Sequence, residues 1–219
     1  GINYKELGIL EKAEASCLQA IRLNPNFVQA QSNLGNILRE FGRLEEAKAC
    51  YLKAIDINPN LAEPHNNLGI IYKELKNFLE AETCYLRAIK INPNFAEPYS
   101  NLGDIHRGLG RLKEAETSCL RAIELNPNLA EAYNNLGATY KELRRFEEAE
   151  TCCLKAIELN SNLAEAYNSY GIILKEMGKL DEAEASFEKA IMLKPDMLSA
   201  IDQMGDLMQI QGKFDDAEI

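Results

Sequence analysis

The chain has 219 residues, of which 34 are acidic and 24 are basic, so its formal net charge is −10. A charge of this sign argues against nucleic acid as a partner, because nucleic-acid binding depends on cations that neutralise phosphates. No apolar run approaches the roughly 18 residues that a membrane-spanning helix needs. We therefore expect neither nucleic acid nor a membrane among the partners.

The sequence repeats itself every 34 residues. With the recurring proline at position 32 of the unit, there is a partial repeat at 1–27, full repeats at 28–61, 62–95, 96–129, 130–163 and 164–197, and a partial repeat at 198–219. A fixed period of this length indicates a stack of one supersecondary unit. We expect residues 1–219 to form a single continuous array rather than separate domains.

Each unit is predicted to contain two antiparallel helices, called helix A and helix B below. In the unit 62–95, apolar residues recur at three- and four-residue steps, first at Leu68, Tyr72 and Leu75 and then at Ala81, Tyr85 and Ala88. A polar break such as Gly42-Arg43 separates the two runs, and Gly is favoured where a helix ends. No segment alternates with a period of two, so the predicted class is an all-α solenoid.

Two small residues recur in every unit, Gly at position 8 and Ala at position 20. The glycines are Gly1, Gly35, Gly69, Gly103, Gly137, Gly171 and Gly205, and the alanines run from Ala13 to Ala217. We expect these positions to face each other where helices A and B come closest. A larger side chain at either position would force the helices apart and leave voids.

The helix ends also carry recognisable signals. Asn60 and Glu63 have the spacing of a capping box at the start of helix A, and the pattern recurs at Asn94, Asn128 and Asn162. An Asn-Pro-Asn turn ends helix B, since proline cannot continue a helix.

These residues resemble the tetratricopeptide repeat. The shared pattern is an aromatic at position 4 (Tyr99, Tyr133, Tyr167), Leu-Gly at 7 and 8, Tyr at 11, Ala at 20, Tyr or Phe at 24, Ala at 27 and Pro at 32. The resemblance covers the whole chain. It implies a right-handed superhelix in which A helices line the concave side and B helices the convex side.

The cysteines and histidines are predicted to be structural. The cysteines (Cys17, Cys50, Cys84, Cys119, Cys152 and Cys153) all occupy position 23 or 24 of helix B, and position 24 otherwise holds Tyr or Phe. We expect Cys17, Cys119 and Cys153 to fill the core as reduced thiols, which favours a cytoplasmic location. His65 and His106 stand where other units have Tyr, and no partner is at metal-ligand spacing. The sequence contains no catalytic constellation, so we expect no catalytic residue, metal or cofactor.

Two polar columns along helix A are the candidate binding residues. Position 6 holds Asn33, Asn67, Asn101 and Asn135, then changes to Ser169 and Gln203. Asparagine is a poor helix former, but its amide can donate and accept hydrogen bonds along an extended backbone. Position 12 is basic at Arg39, Lys73, Arg107 and Lys141. Such charges steer charged peptides, or they simply solvate a helix face.

The asparagine column is similar to that of the superhelical arm of O-linked N-acetylglucosamine transferase, where it contacts substrate and adaptor backbones. The resemblance extends to Asn33, Asn67, Asn101 and Asn135 and not to Ser169 or Gln203. We predict a non-enzymatic scaffold that binds an extended protein or peptide on its concave face. Two alternatives stay open: a substrate-recruiting arm of a larger enzyme such as a glycosyltransferase, and an array that self-associates through its partial terminal repeats.

Overall fold

The computed structural model of the protein describes residues 4–212, and all regular secondary structure in that range is helical. The helices are α1 (Tyr4–Leu23), α2 (Val28–Glu40), α3 (Leu44–Ile57), α4 (Ala62–Glu74), α5 (Phe78–Ile91), α6 (Ala96–Gly108), α7 (Leu112–Leu125), α8 (Ala130–Glu142), α9 (Phe146–Leu159), α10 (Ala164–Glu176), α11 (Leu180–Leu193) and α12 (Leu198–Gln211). The predicted all-α class is confirmed. Gly1 and Ala217, which the repeat places at positions 8 and 20, lie outside the described residues.

The described helices belong to two compact units, Gly1–Ile105 and His106–Ile219. In the first unit, α3 packs against both α2 and α4, and the buried cluster contains Leu34, Tyr51 and Ile71. In the second unit, α9 packs in the same way against α8 and α10. The B helices α3 and α9 are therefore each held between their own A helix and the A helix of the following repeat, so these repeats share a core with their neighbours.

The glycine at position 8 packs against the side chain at position 24. A Cβ added to Gly69 would lie 2.6 Å from Cε1 of Tyr85, and one added to Gly171 would lie 2.6 Å from Cε1 of Phe187. In the repeat 130–163 the nearest atom is Sγ of Cys153 at 2.8 Å, and the carbonyl oxygen of Ala149, at position 20, lies 3.2 Å from the same point on Gly137. The side chain at position 24 is thus the nearest neighbour of position 8, and the predicted approach of position 20 is seen at Ala149.

The turn after each A helix from α2 to α10 contains a residue with left-handed backbone, at position 15. Gly42, Gly110 and Gly178 have φ between 72° and 78° there. Lys76 and Arg144 adopt the same conformation, with φ of 64° and 61°. The turn at Lys76 keeps its backbone hydrogen bonds, because the amide of Lys76 donates to the carbonyl of Lys73 at 3.0 Å. The break predicted from glycine is thus present even where glycine is absent.

The first repeat differs from this pattern, because α1 runs through Gly8 without a break. Gly8 occupies position 15, where the later repeats turn. The predicted pair of helices is therefore replaced by one longer helix in this repeat.

The predicted capping boxes are wrong. The residues that precede α4, α8 and α10 are Leu61, Leu129 and Leu163, and none makes a side-chain capping hydrogen bond. Instead, the asparagine at position 31 organises the turn: the amide N–H of position 33 donates to its Oδ1 at 3.1 Å in every Asn-x-Asn turn. These pairs are Asn26 to Asn24, Asn60 to Asn58, Asn94 to Asn92, Asn128 to Asn126 and Asn162 to Asn160.

This side-chain turn does not depend on proline. Ser161 replaces the proline between Asn160 and Asn162, yet the hydrogen bond has the same length of 3.1 Å. Asparagine side chains accept readily from backbone donors two residues ahead. The predicted cap residue Asn60 supplies only its backbone N–H to this turn, and the helix begins after Leu61.

Candidate functional site

Four asparagines of the first unit form a hydrogen-bonded chain across three successive A helices. Nδ2 of Asn67 donates to Oδ1 of Asn36 at 3.2 Å, Nδ2 of Asn66 donates to Oδ1 of Asn67 at 3.4 Å, and Nδ2 of Asn101 donates to Oδ1 of Asn66 at 3.1 Å. The hydroxyl of Tyr51 on α3 anchors one end by donating to Oδ1 of Asn36 at 2.6 Å. We call Asn36, Asn66, Asn67 and Asn101 the amide ladder.

The amide ladder retains unused hydrogen-bonding capacity. A primary amide has two N–H donors and an oxygen that accepts two bonds. Asn67 uses one N–H and one acceptor site within the ladder, and Asn101 uses one N–H. Both side chains are half-buried. The ladder therefore holds its amides in fixed orientations while part of each can still bond to another molecule.

Sequence reasoning found two members of the ladder and missed two. Asn67 and Asn101 belong to the predicted column at position 6, whereas Asn66 and Asn36 occupy positions 5 and 9. A usable signal was present, since Asn36 stands in the same repeat as Tyr51, whose hydroxyl needs an acceptor. The predicted Asn33 is exposed and accepts a hydrogen bond from Nε2 of Gln29 at 2.9 Å. It contributes to the same face without joining the ladder.

In the second unit the ladder is interrupted. Asn134 corresponds to Asn66 in repeat position, but its Oδ1 is buried without a hydrogen-bond partner in the described part of the chain. Ser169 occupies the position from which Asn101 donates to Asn66, and its side chain is shorter than that of asparagine. Oδ1 of Asn168 is buried and unpartnered too, because Gln203 at the next position 6 accepts instead from Nζ of Lys175 at 2.7 Å. The predicted Asn135 is half-buried on α8.

Restoring asparagine at the interruption is expected to stabilise the second unit. Ser169→Asn should let Nδ2 donate to Oδ1 of Asn134, as Asn101 does to Asn66, and raise the free energy of unfolding by about 1 kcal/mol. Urea unfolding of the variant measures the change, with Ser169→Ala as the control for loss of the hydroxyl. A variant no more stable than Ser169→Ala would show that the Asn134 carbonyl already has a donor.

The basic residues at position 12 mostly bridge neighbouring repeats. Nζ of Lys73 lies 3.1 Å from Oδ2 of Asp104, and Nη1 of Arg107 lies 2.9 Å from Oε1 of Glu142. Lys73 and Arg107 are about 30% exposed, with side-chain values of 31% and 28%, so these pairs mainly order the helices they join.

Arg39 and Lys141 differ from the other two predicted basic residues, because neither forms an ion pair with the following repeat among the described residues. Arg39 pairs only with its neighbour Glu40, at 3.6 Å. Lys141 makes no ion pair within residues 4–212. These two cations are consequently the ones most available to a partner.

The cysteines have the structural role that the sequence predicts. All six are free, and Cys119 and Cys153 are fully buried while Cys17 is half-buried. Burial raises the pKa of Cys153 to about 12, so its thiol is protonated at neutral pH and is a weak nucleophile.

Both histidines act as packing and hydrogen-bonding residues. Nε2 of His65 lies 3.2 Å from the carbonyl oxygen of Pro59, and the hydroxyl of Tyr99 makes the equivalent bond to the Pro93 carbonyl at 3.3 Å. Burial lowers the pKa of His65. His106 is buried, with Nδ1 3.4 Å from Oγ of Ser118. His65 therefore substitutes for the tyrosine of other repeats.

Between residues 4 and 212, no group of three or more potential ligands is arranged to hold a metal ion. None of the helices in that range is long and apolar enough to cross a bilayer.

The fold and the recurring residue pattern define a tetratricopeptide-repeat solenoid. Among solved structures, the chain is similar to a chain of the APC/C hetero-tetramer Cut9–Hcn1, with a TM-score of 0.84 and 16% identity over 94% of this chain and 41% of the other. It is similar to TTC0263, a tetratricopeptide-repeat protein of Thermus thermophilus, with a TM-score of 0.73 and 23% identity over 83% of this chain and 99% of the other.

The similarity to YrrB, described as a tetratricopeptide-repeat protein with an unusual peptide-binding site, has a TM-score of 0.56 and 25% identity over 85% of this chain and 96% of the other. No curated protein matches the sequence. Residues 10–218 match the family described as the cilia and flagella-associated protein 70 C-terminal domain, and the chain belongs to this family.

Proposed function

We propose that the protein is a non-catalytic interaction scaffold that holds an extended polypeptide along its A helices. The amide ladder is the observation that carries this proposal. Its side chains hold one another in place. Little of their conformational entropy is therefore lost when a partner binds. The remaining N–H and oxygen sites are the groups that a peptide backbone needs.

An amide surface of this kind favours backbone over side-chain recognition. Every residue of an extended peptide except proline offers one N–H and one carbonyl. Asn67 and Asn101 stand one repeat apart and present the same group at equivalent places. A partner of varied sequence is therefore bound as long as its backbone is extended. Asn33 would extend the contact within the first unit, and Asn135 would offer the same amide in the second unit.

Charge would then orient the partner. Arg39 and Lys141 have no acid of the following repeat to neutralise them, so they are the position-12 residues that would attract carboxylates. Lys73 and Arg107 would act indirectly, because their ion pairs with Asp104 and Glu142 hold adjacent A helices in place. Electrostatic pairing of this type mainly improves association rate and selectivity.

The comparisons support a protein or peptide as the partner. YrrB, at 25% identity, is described as having a peptide-binding site, and the tetratricopeptide-repeat fold is that of an interaction scaffold. The amide ladder also supports the alternative of a substrate-recruiting arm attached to an enzyme such as a glycosyltransferase. Self-association through the terminal repeats and a cytoplasmic location stay predictions from the sequence.

Replacing Asn67, Asn101 and Asn135 together by Ala tests the proposal. Dodecapeptides selected from a random display library on the unmodified protein would serve as probes, with affinities measured by titration calorimetry. We expect the triple variant to bind at least about tenfold more weakly. The loss should appear with peptides of unrelated sequence, because the contacts are to the backbone.

A matched control is Asn94→Ala, Asn128→Ala and Asn162→Ala, which removes three asparagines from the turns and none from the A helices. The control should keep the affinity of the unmodified protein. Helical circular dichroism of both variants checks that folding is retained. Unchanged affinity in the Asn67, Asn101 and Asn135 variant would refute the proposed site.

A further inference from the structure

An ion pair joins successive B helices at three junctions between repeats. It links the residue at position 16, just before one B helix, to the acid at position 21 of the preceding B helix. The pairs are Arg43 with Glu14 at 2.6 Å, Arg145 with Glu116 at 2.8 Å, and Lys179 with Glu150 at 2.9 Å.

The junction between α3 and α5 lacks this ion pair. Position 16 is Asn77 and position 21 is Lys48, so neither the cation nor the acid stands in its usual place. Nζ of Lys48 lies 3.1 Å from Oε2 of Glu45 on its own helix and 5.6 Å from the ring centre of Tyr72. Among the described side chains, no ion pair crosses from α3 to α5.

A cavity of about 310 Å³ opens between α4 and α5, next to this junction, since its lining includes the Tyr72 ring that faces Lys48 of α3. It is lined by Leu68, Tyr72, Leu79, Glu80, Thr83 and Cys84. We call this surface the α3/α5 furrow. Leu79 is 69% exposed, and its repeat position holds a charged residue in the other units, namely Glu11, Glu45, Lys113, Glu147 and Asp181. An apolar side chain has therefore replaced a charged one at the edge of the furrow.

The charges on α5 also depart from the repeat. In α3, α7 and α9 a cation at position 26 pairs with an acid three residues later: Lys53 with Asp56 at 3.8 Å, Arg121 with Glu124 at 2.6 Å, and Lys155 with Glu158 at 2.9 Å. In α5 the same positions hold Arg87 and Lys90, and neither has an acidic partner in the described structure. Leu86, between Leu79 and Lys90 on this helix, is 50% exposed.

We propose that the α3/α5 furrow binds an acidic amphipathic helix of a partner protein. Apolar side chains of the partner enter the cavity over Tyr72 and Leu79, and its carboxylates contact Arg87 and Lys90. A groove between two helices, with apolar walls and charge at its edge, is the setting in which amphipathic helices dock. The choice of an acidic partner follows from charge complementarity, in a chain whose net charge of −10 repels acidic molecules elsewhere.

This site is separate from the amide ladder, since it uses other side chains of α4 and the side chains of α5. Two synthetic helical peptides provide the test, each with leucines at three- and four-residue spacing and either glutamate or lysine at the remaining positions. Fluorescence anisotropy at fixed salt measures their affinities. We expect the glutamate peptide to bind at least about tenfold more tightly than the lysine peptide, although the net charge of the protein favours the opposite order.

Two variants place the binding in the α3/α5 furrow. Leu79→Glu puts a charge at its edge, and Lys48→Glu with Asn77→Arg restores the ion pair found at the other junctions. Each should weaken binding of the glutamate peptide at least about tenfold. Leu154→Glu, which changes an exposed leucine on α9, is the matched control and should leave affinity unchanged.

The side chains of Leu79, Lys48 and Asn77 lie at the surface of the furrow, so the variants should keep their helical circular dichroism. The triple asparagine variant described above should bind the glutamate peptide normally, which separates the two sites. Equal affinity for the two peptides, no binding of either, or full affinity in Leu79→Glu would overturn the proposal.

Discussion

Gly69→Ala is expected to lower the free energy of unfolding by about 2 kcal/mol, even though alanine is the better helix former. The added methyl group would lie 2.6 Å from Cε1 and 2.8 Å from Cδ1 of Tyr85, well inside van der Waals contact. The Tyr85 ring cannot move aside easily, because it is fully buried in a cluster with Ala81, Leu102 and Ile105. Overpacking must therefore displace α4 from α5.

Gly108→Ala is the matched control. It also lies in an A helix, but nothing stands within 4 Å of its added Cβ, so the substitution should raise stability by about 0.5–1 kcal/mol through helix propensity. Urea unfolding measures both changes, and hydrogen exchange of the α5 amides shows whether the loss is local to the pair. If both glycines tolerate alanine equally, the close packing of position 8 on the position-24 ring is contradicted.

Tyr51→Phe and Tyr85→Phe are expected to change stability in opposite directions. The Tyr51 hydroxyl donates to Oδ1 of Asn36 at 2.6 Å, so its loss should cost about 1 kcal/mol. The Tyr85 hydroxyl is buried with no hydrogen-bond partner among the described residues. Its loss should raise stability by about 1 kcal/mol, because a buried polar group without a partner is costly.

The cause of this difference is position 9 of each repeat. Asn36 stands there in the repeat of Tyr51, whereas Ile70 stands there in the repeat of Tyr85. The repeat with Ile172 has Phe187, which needs no acceptor. Desolvation by burial raises the pKa of both tyrosines, to about 12 for Tyr51. Urea midpoints of the two variants measure the contrast, and a loss of stability in Tyr85→Phe would mean that its hydroxyl is satisfied.

Most of the fold could be predicted from the sequence, because the same pattern of apolar and small residues recurs in each repeat. The helical periodicity of Leu68 and Tyr72 is observed in α4, which ends just before Leu75. The positions of the A and B helices agree with the 34-residue units. Two details could not be read in this way. The capping boxes failed because the helices begin after Leu61 and its equivalents, one residue later than the predicted caps. Helix α1 runs through Gly8, at the position where the later repeats turn.

The candidate site was only partly accessible from the sequence. A column of identical residues such as Asn67 and Asn101 is visible in the repeat. The contacts that Asn36 and Asn66 make with them join different positions of different repeats, so a pattern within one repeat does not reveal them. The same holds for the α3/α5 furrow. Lys48 and Asn77 stand where other junctions have an ion pair, and this difference is recognised only once those ion pairs are seen in the structure.

The central claim is that the amides of the ladder bond directly to a bound peptide. The side-chain NH₂ resonances of Asn67 and Asn101, followed by nuclear magnetic resonance during titration with a selected dodecapeptide, test it most directly. The account predicts that these resonances shift in proportion to saturation as their free N–H groups acquire an acceptor. Saturation with both resonances unchanged, and shifts confined to the B helices, would contradict it.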